Sequence, residues 1–123
     1  MKGLAIKVVK LGEGKRIDLP GGSWVQELIT ASTVGSKKSM LGVSRFKPRT
    51  RTKLLKHTEE EMCYVISGKG RLGLEEGEVI FEAGEALYIP PGVAHAVIND
   101  GEDDVVMVYV FSSPEYPSTE ARD

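Results

Sequence analysis

His57 and His95 are the only two histidines in a chain of 123 residues, and each stands where a metal ligand would serve. His57 lies four residues before Glu61, just ahead of the run Met62-Cys63-Tyr64-Val65-Ile66. His95 follows the corner Pro90-Pro91-Gly92 and leads into Ala96-Val97-Ile98-Asn99. Side chains on a strand alternate between its two faces. His95, Val97 and Asn99 therefore share one face, and Glu61, Cys63 and Val65 share another. If both faces line one barrel interior, two imidazoles and a carboxylate converge on one point. Such a donor set suits a divalent ion such as iron, manganese, zinc or nickel.

The rest of the chain reads as short strands. Trp24 to Thr30, Met62 to Ile66, Glu78 to Phe81, Ala86 to Ile89, Ala94 to Ile98 and Val105 to Phe111 are rich in strand formers. Turn-like separators divide them: Pro20-Gly21-Gly22, Ser67-Gly68-Lys69-Gly70, Glu76-Gly77, Ala83-Gly84 and Asn99-Asp100-Gly101. Gly68 and Gly70 are read as hairpin-loop residues. No stretch carries an apolar stripe at helical spacing with a cap at each end. Many short strands at even spacing indicate an all-β sandwich or closed barrel. The barrel core is expected over about 23–112, with a polar tail over 113–123 that lies over a neighbour or stays mobile. One domain over 1–123 fits the length.

The spacing Gly84-(five)-Pro90-Pro91-Gly92-(two)-His95-(three)-Asn99 resembles the second motif of the cupin superfamily at every position. His57-(three)-Glu61-(six)-Gly68 resembles most of the first motif, and Tyr64-Val65-Ile66-Ser67-Gly68 resembles its ending. The resemblance runs from about 46 to 99. It implies a jelly-roll barrel, the double-stranded β-helix of RmlC-like cupins, with a pocket in the barrel mouth. It also implies a homodimer, a small-molecule ligand or substrate, and a divalent metal at His57, Glu61 and His95. One departure stands out. The first motif normally has two histidines one residue apart, and this register puts Leu55 where the first would be. The remaining three ligands resemble a facial triad of two histidines and one carboxylate. A second register makes His57 the first histidine, with Glu59 and Cys63 following, but it breaks the spacing to Gly68.

Pocket candidates beyond the triad are Arg45, Leu55, Cys63 and Asn99. Cys63 has two readings, a small buried core residue or a thiol near the site. Asn99 likewise either closes the turn Asn99-Asp100-Gly101 or reaches the pocket. The only cysteine is Cys63, so neither an intrachain disulfide nor a cysteine-rich zinc site can form.

Charge is unevenly distributed. Residues 1–57 carry 13 Lys/Arg against 3 Asp/Glu, and residues 58–123 carry 3 against 15. Either the halves interleave and neutralise each other, or Arg45, Lys47, Arg49, Arg51 and Lys53 form a patch that meets an anion. A sequence pI near 5.7 argues against a nucleic-acid partner. No apolar run is long enough to cross a bilayer, and no secretory leader is visible, so a cytoplasmic protein is expected. Three functions follow from the resemblance. The first is a metal-dependent enzyme of oxygenase, decarboxylase or isomerase type. The second is a non-catalytic small-molecule or sugar binder with a degenerate metal site. The third is a scaffold dimer.

Overall fold

The computed structural model describes residues 5–123. Its strands are β1 (Lys15–Asp18), β2 (Trp24–Ile29), β3 (Met40–Phe46), β4 (Thr50–Arg51), β5 (Leu54–His57) and β6 (Glu61–Ser67). Then follow β7 (Lys69–Leu74), β8 (Glu78–Glu82), β9 (Ala86–Ile89), β10 (His95–Asn99), β11 (Val105–Phe111) and β12 (Thr119–Arg122). One helical turn, α1 (Ala31–Val34), is capped by Thr30, whose hydroxyl accepts from the Thr33 amide. Two antiparallel sheets form. One has the order β1-β2-β3-β11-β6-β9; the other runs β12-β5-β10-β7-β8, with β4 also on β10. Together they make the jelly-roll barrel expected from the motifs.

Alternation builds the core. In β3 and β11 every second residue is buried, which turns Met40, Phe46, Val105, Met107, Tyr109 and Phe111 inward. Cys63 and Val65 of β6 join them. Burying such side chains contributes roughly 1.5–3 kcal/mol each. Gly42 sits opposite Tyr109 in the β3–β11 register, where a Cβ would run into the Tyr109 ring. Gly68 turns the chain from β6 into β7 with φ 87°, a conformation other residues adopt only with strain.

Three stretches depart from the sequence reading. Gly70 lies inside β7 rather than in a loop, paired with Phe81 of β8, and it is a glycine there because the Phe81 ring and the Ile98 carbonyl occupy the space of a Cβ. β1 extends the first sheet upstream of residue 23, pairing Lys15–Asp18 with β2. Residues 113–123, read as a polar tail outside the barrel core that lies over a neighbour or stays mobile, end in a strand that lies over a neighbouring element. β12 pairs with β5 in register Thr119↔His57 to Arg122↔Leu54. Its four residues are all exposed, so the sequence shows no apolar alternation there; backbone pairing at a sheet edge holds it instead.

The two charged halves do interleave. Asp104 beside β11 takes Arg45 at 2.7 Å and Lys47 at 3.2 Å, which holds its carboxyl below the usual range. No helix among the described residues is long and apolar enough to cross a membrane.

Candidate metal centre

β5 ends at His57, three loop residues follow, and β6 begins at Glu61. The Pro90-Pro91-Gly92 corner delivers His95 to the start of β10, where it pairs directly with Leu55 of β5. The Gly92 amide donates to the His57 carbonyl at 2.8 Å, so the corner also ties the two histidine segments together. The outcome is convergence. Glu61 Oε1 lies 3.5 Å from His57 Nε2 and 3.3 Å from His95 Nε2, and the two rings are 5.1 Å apart.

Both rings are 4% exposed. The His95 Nδ1 contacts the Val93 carbonyl at 3.0 Å. A carbonyl only accepts, so Nδ1 carries the proton, and the neutral ring keeps its lone pair on Nε2. Burial lowers the His57 pKa, with the Glu61 charge opposing it and His95 adding to it. For His95 burial also disfavours the charged form. The Glu61 carboxylate and the Val93 carbonyl outweigh it and raise the pKa. Burial first, then the Glu61 charge, pushes the Cys63 thiol far up, so it stays protonated. Its Sγ donates to Glu61 Oε2 at 3.5 Å. Glu61 Oε1 is left buried with no hydrogen-bond partner.

An unpaired buried carboxylate oxygen costs at least about 1–3 kcal/mol. Two imidazole nitrogens face it, and the three donor atoms lie within 4.8 Å of one another. Two nitrogens and one oxygen form a donor set for a divalent cation, and the cation would satisfy the orphaned oxygen. The residues present therefore fit a metal.

The triad opens onto a cavity of about 440 Å³. Its walls are mainly apolar: Leu19, Val25, Phe46, Leu55, Val97 and Phe111 among them. Leu55 is one of these wall residues. The other three pocket candidates lie elsewhere. Arg45 is engaged with Asp104 and lies 5.9 Å from the Trp24 ring. Cys63 sits behind Glu61. Asn99 closes its turn: Nδ2 donates to the Phe46 and Asp103 carbonyls and Oδ1 accepts from the Gly101 amide. From the basic run, Arg51 and Lys53 do line the cavity.

Tyr109, Tyr116 and Thr119 are wall residues that the sequence reading did not assign to the site. The Tyr116 ring meets Phe111 edge-on at 5.1 Å and His57 at 5.8 Å. Thr119 contacts His57 Nδ1 at 2.7 Å. For Tyr116 and Thr119 the one available signal was an aromatic and a β-branched residue within an otherwise polar stretch.

A family profile described as "Cupin domain" matches residues 42–111. An uncharacterized protein of Methanocaldococcus jannaschii is 31% identical over 81 residues, 65% of this chain and 65% of that protein. Protein SchB of Streptomyces halstedii is 29% identical over 89 residues, 72% of this chain and 64% of that one. The chain thus spans just under two thirds of these relatives. Among solved structures, the polyketide cyclase RemF from Streptomyces resistomycificus superposes with a TM-score of 0.80 at 21% identity. That match covers 96% of this chain and 86% of that one. With the profile spanning more than half of the sequence and the barrel carrying its motifs at the mouth, the chain belongs to the cupin domain family.

Proposed function

We propose that this cupin is a metal-dependent enzyme acting on a small organic molecule with a largely apolar skeleton. The observation that carries the reading is the orphaned Glu61 Oε1 facing two imidazole nitrogens at one end of an apolar cavity. His57, Glu61 and His95 would hold the ion. When bound, a divalent metal supplies Lewis-acid polarisation of a substrate oxygen or, if iron, oxygen chemistry. Iron, manganese, zinc and nickel all suit this donor set. The wall argues against a sugar, whose hydroxyls would be left unpaired against Leu55, Val97 and Phe111.

Arg51 and Lys53 add a second feature. Lys53 has a contact of 3.9 Å to Asp123, too long to occupy it fully. Arg51 pairs with Ile98, three residues along β10 from His95, so its backbone lies about 10 Å from the ligand histidine at roughly 3.3 Å per residue. A substrate with an acidic group at one end and its reacting atom at the other satisfies both places. Replacing Arg51 with alanine is expected to weaken binding of an aryl carboxylate by up to roughly 5-fold, the worth of one exposed charged contact. Binding of the matching neutral amide should not change. Equal effects on acid and amide would remove the anion subsite.

The first experiment is elemental analysis of protein purified without chelators. One metal per chain is expected, together with a rise in melting temperature when metal is restored to stripped protein. A chain that is empty and gains no stability from added manganese or zinc would overturn the enzyme reading. Leu55 at the position of the absent fourth ligand would then favour a non-catalytic binder. The exposed Met62, Tyr64, Ile66 and Tyr88 on the outer face of β6 and β9 support a homodimer through that sheet.

A further inference from the structure

We infer that Thr119 is a positioning residue for His57, and that β12 serves to hold the metal ligand in its binding form. The inference rests on the metal-centre reading above and extends it to a segment outside both motifs. Thr119 and His57 are directly opposed in the β12–β5 register, which brings side chains on one face within about 4.5–5.5 Å at Cβ. The Thr119 Oγ1 sits 2.7 Å from His57 Nδ1 and 2.9 Å from the Pro117 carbonyl.

A proton count fixes the direction of both bonds. A threonine hydroxyl has one proton to give. The Pro117 carbonyl has none, so the hydroxyl proton goes to Pro117. The contact to His57 must then use a proton on Nδ1, with Oγ1 accepting. A neutral imidazole with its proton on Nδ1 keeps its lone pair on Nε2, the atom that faces Glu61. His95 reaches the same state through the Val93 carbonyl. The two ligands are therefore set by different means. One is fixed by backbone two residues away in sequence, the other by a side chain 62 residues away.

That distance makes the support conditional on how β12 is docked. The segment is anchored at several points. The Ala31 amide donates to the Pro114 carbonyl at 2.7 Å, the Thr58 amide to the Ser118 carbonyl at 3.1 Å, and Arg122 pairs with Glu75 at 2.6 Å. Pro117 is buried and fixes the carbonyl that takes the hydroxyl proton. Outer partners of metal-bound histidines typically carry 10–100-fold in metal affinity. By linkage, a metal that binds the docked form more tightly also favours docking of β12 by the same factor.

The test compares wild type, Thr119→Val and Thr119→Ser. Valine keeps the shape and β-branching but removes the acceptor; serine restores the hydroxyl. Zinc affinity is measured against a chromophoric chelator, and the imidazole tautomer is read from nitrogen-15 spectra of the metal-free protein. Thr119→Val is expected to weaken zinc binding by about 10–100-fold, and serine to restore it to within roughly 3-fold of wild type. The wild-type spectrum should show His57 protonated on Nδ1, and Thr119→Val should lose that preference. Unchanged zinc affinity in Thr119→Val, or a serine variant as weak as valine, overturns the inference. So does a wild-type His57 protonated on Nε2, whatever the zinc result. Failure of wild type to take zinc at all sinks the metal-centre reading instead, and the tautomer spectrum still decides the role of Thr119.

Discussion

Replacing His95 with alanine is expected to reduce metal content to background and to weaken metal affinity by more than about 100-fold. Three donor atoms converge at the site, and His95 supplies one of the two nitrogens. Losing an outer-shell partner alone costs up to about 100-fold, so losing a ligand costs more. The neighbours cannot substitute. The residue opposite His95 is Leu55, which has no donor atom. Cys63 points its thiol at Glu61 from behind, and burial keeps it protonated. Because His95 is 4% exposed, the alanine variant also loses packing. Glu61→Gln is the companion that separates the effects. It keeps the size of the side chain while removing the negative charge, and it should lose metal just as His95→Ala does. The measurement is elemental analysis and chelator competition on folded protein. Retained stoichiometric metal in both variants would place the ion elsewhere in the chain.

Replacing Phe111 with alanine should cost about 3 kcal/mol of folding stability. A domain of this kind has roughly 5–15 kcal/mol in all, so the variant should be visibly unstable. Phe111 is 1% exposed and ends β11 opposite Met40 on one side and Glu61 on the other. Its ring meets His57 edge-on at 4.8 Å, Tyr109 at 5.7 Å and Tyr116 at 5.1 Å. Such aromatic contacts add about 0.5–1.5 kcal/mol beyond buried area. One side of the ring faces the cavity, which places the cost near the lower end of the usual 3–5 kcal/mol for a deleted phenylalanine. Urea unfolding checks it. By contrast Glu76→Ala, in the exposed turn between β7 and β8, should stay within about 0.5 kcal/mol. A Phe111 variant as stable as that one would mean that the ring adds nothing to the packing.

Metal centre and core meet at His57, whose ring packs against Phe111 and whose Nε2 faces Glu61. The wall of the cavity and the core of the barrel are here the same side chains. A change made for stability in this corner therefore also changes the site.

Sequence alone determined where the apolar strands run and which residues close their turns. β6 and β11 are legible as strands because each is a short run of strand-forming apolar residues, but both of their faces are apolar, so packing and not the sequence chose which face turns inward. The Pro90-Pro91-Gly92 corner and the positive φ of Gly68 are likewise matters of single residues. The motif spacing singled out His57, Glu61 and His95 together, and these three do converge. The tertiary structure decided what no local pattern encodes. β12 is exposed at every residue and exists because β5 offers it an open edge. Thr119 reaches His57 only through that pairing. Arg45 and Arg51 look alike in sequence, yet Asp104 takes one and the cavity rim receives the other. Asn99 stands on the same face as His95, yet the carbonyls of Phe46 and Asp103 claim its amide. In each case the deciding partner is distant in sequence or belongs to another element. Its position is set by sheet register and packing, which depend on the whole chain at once.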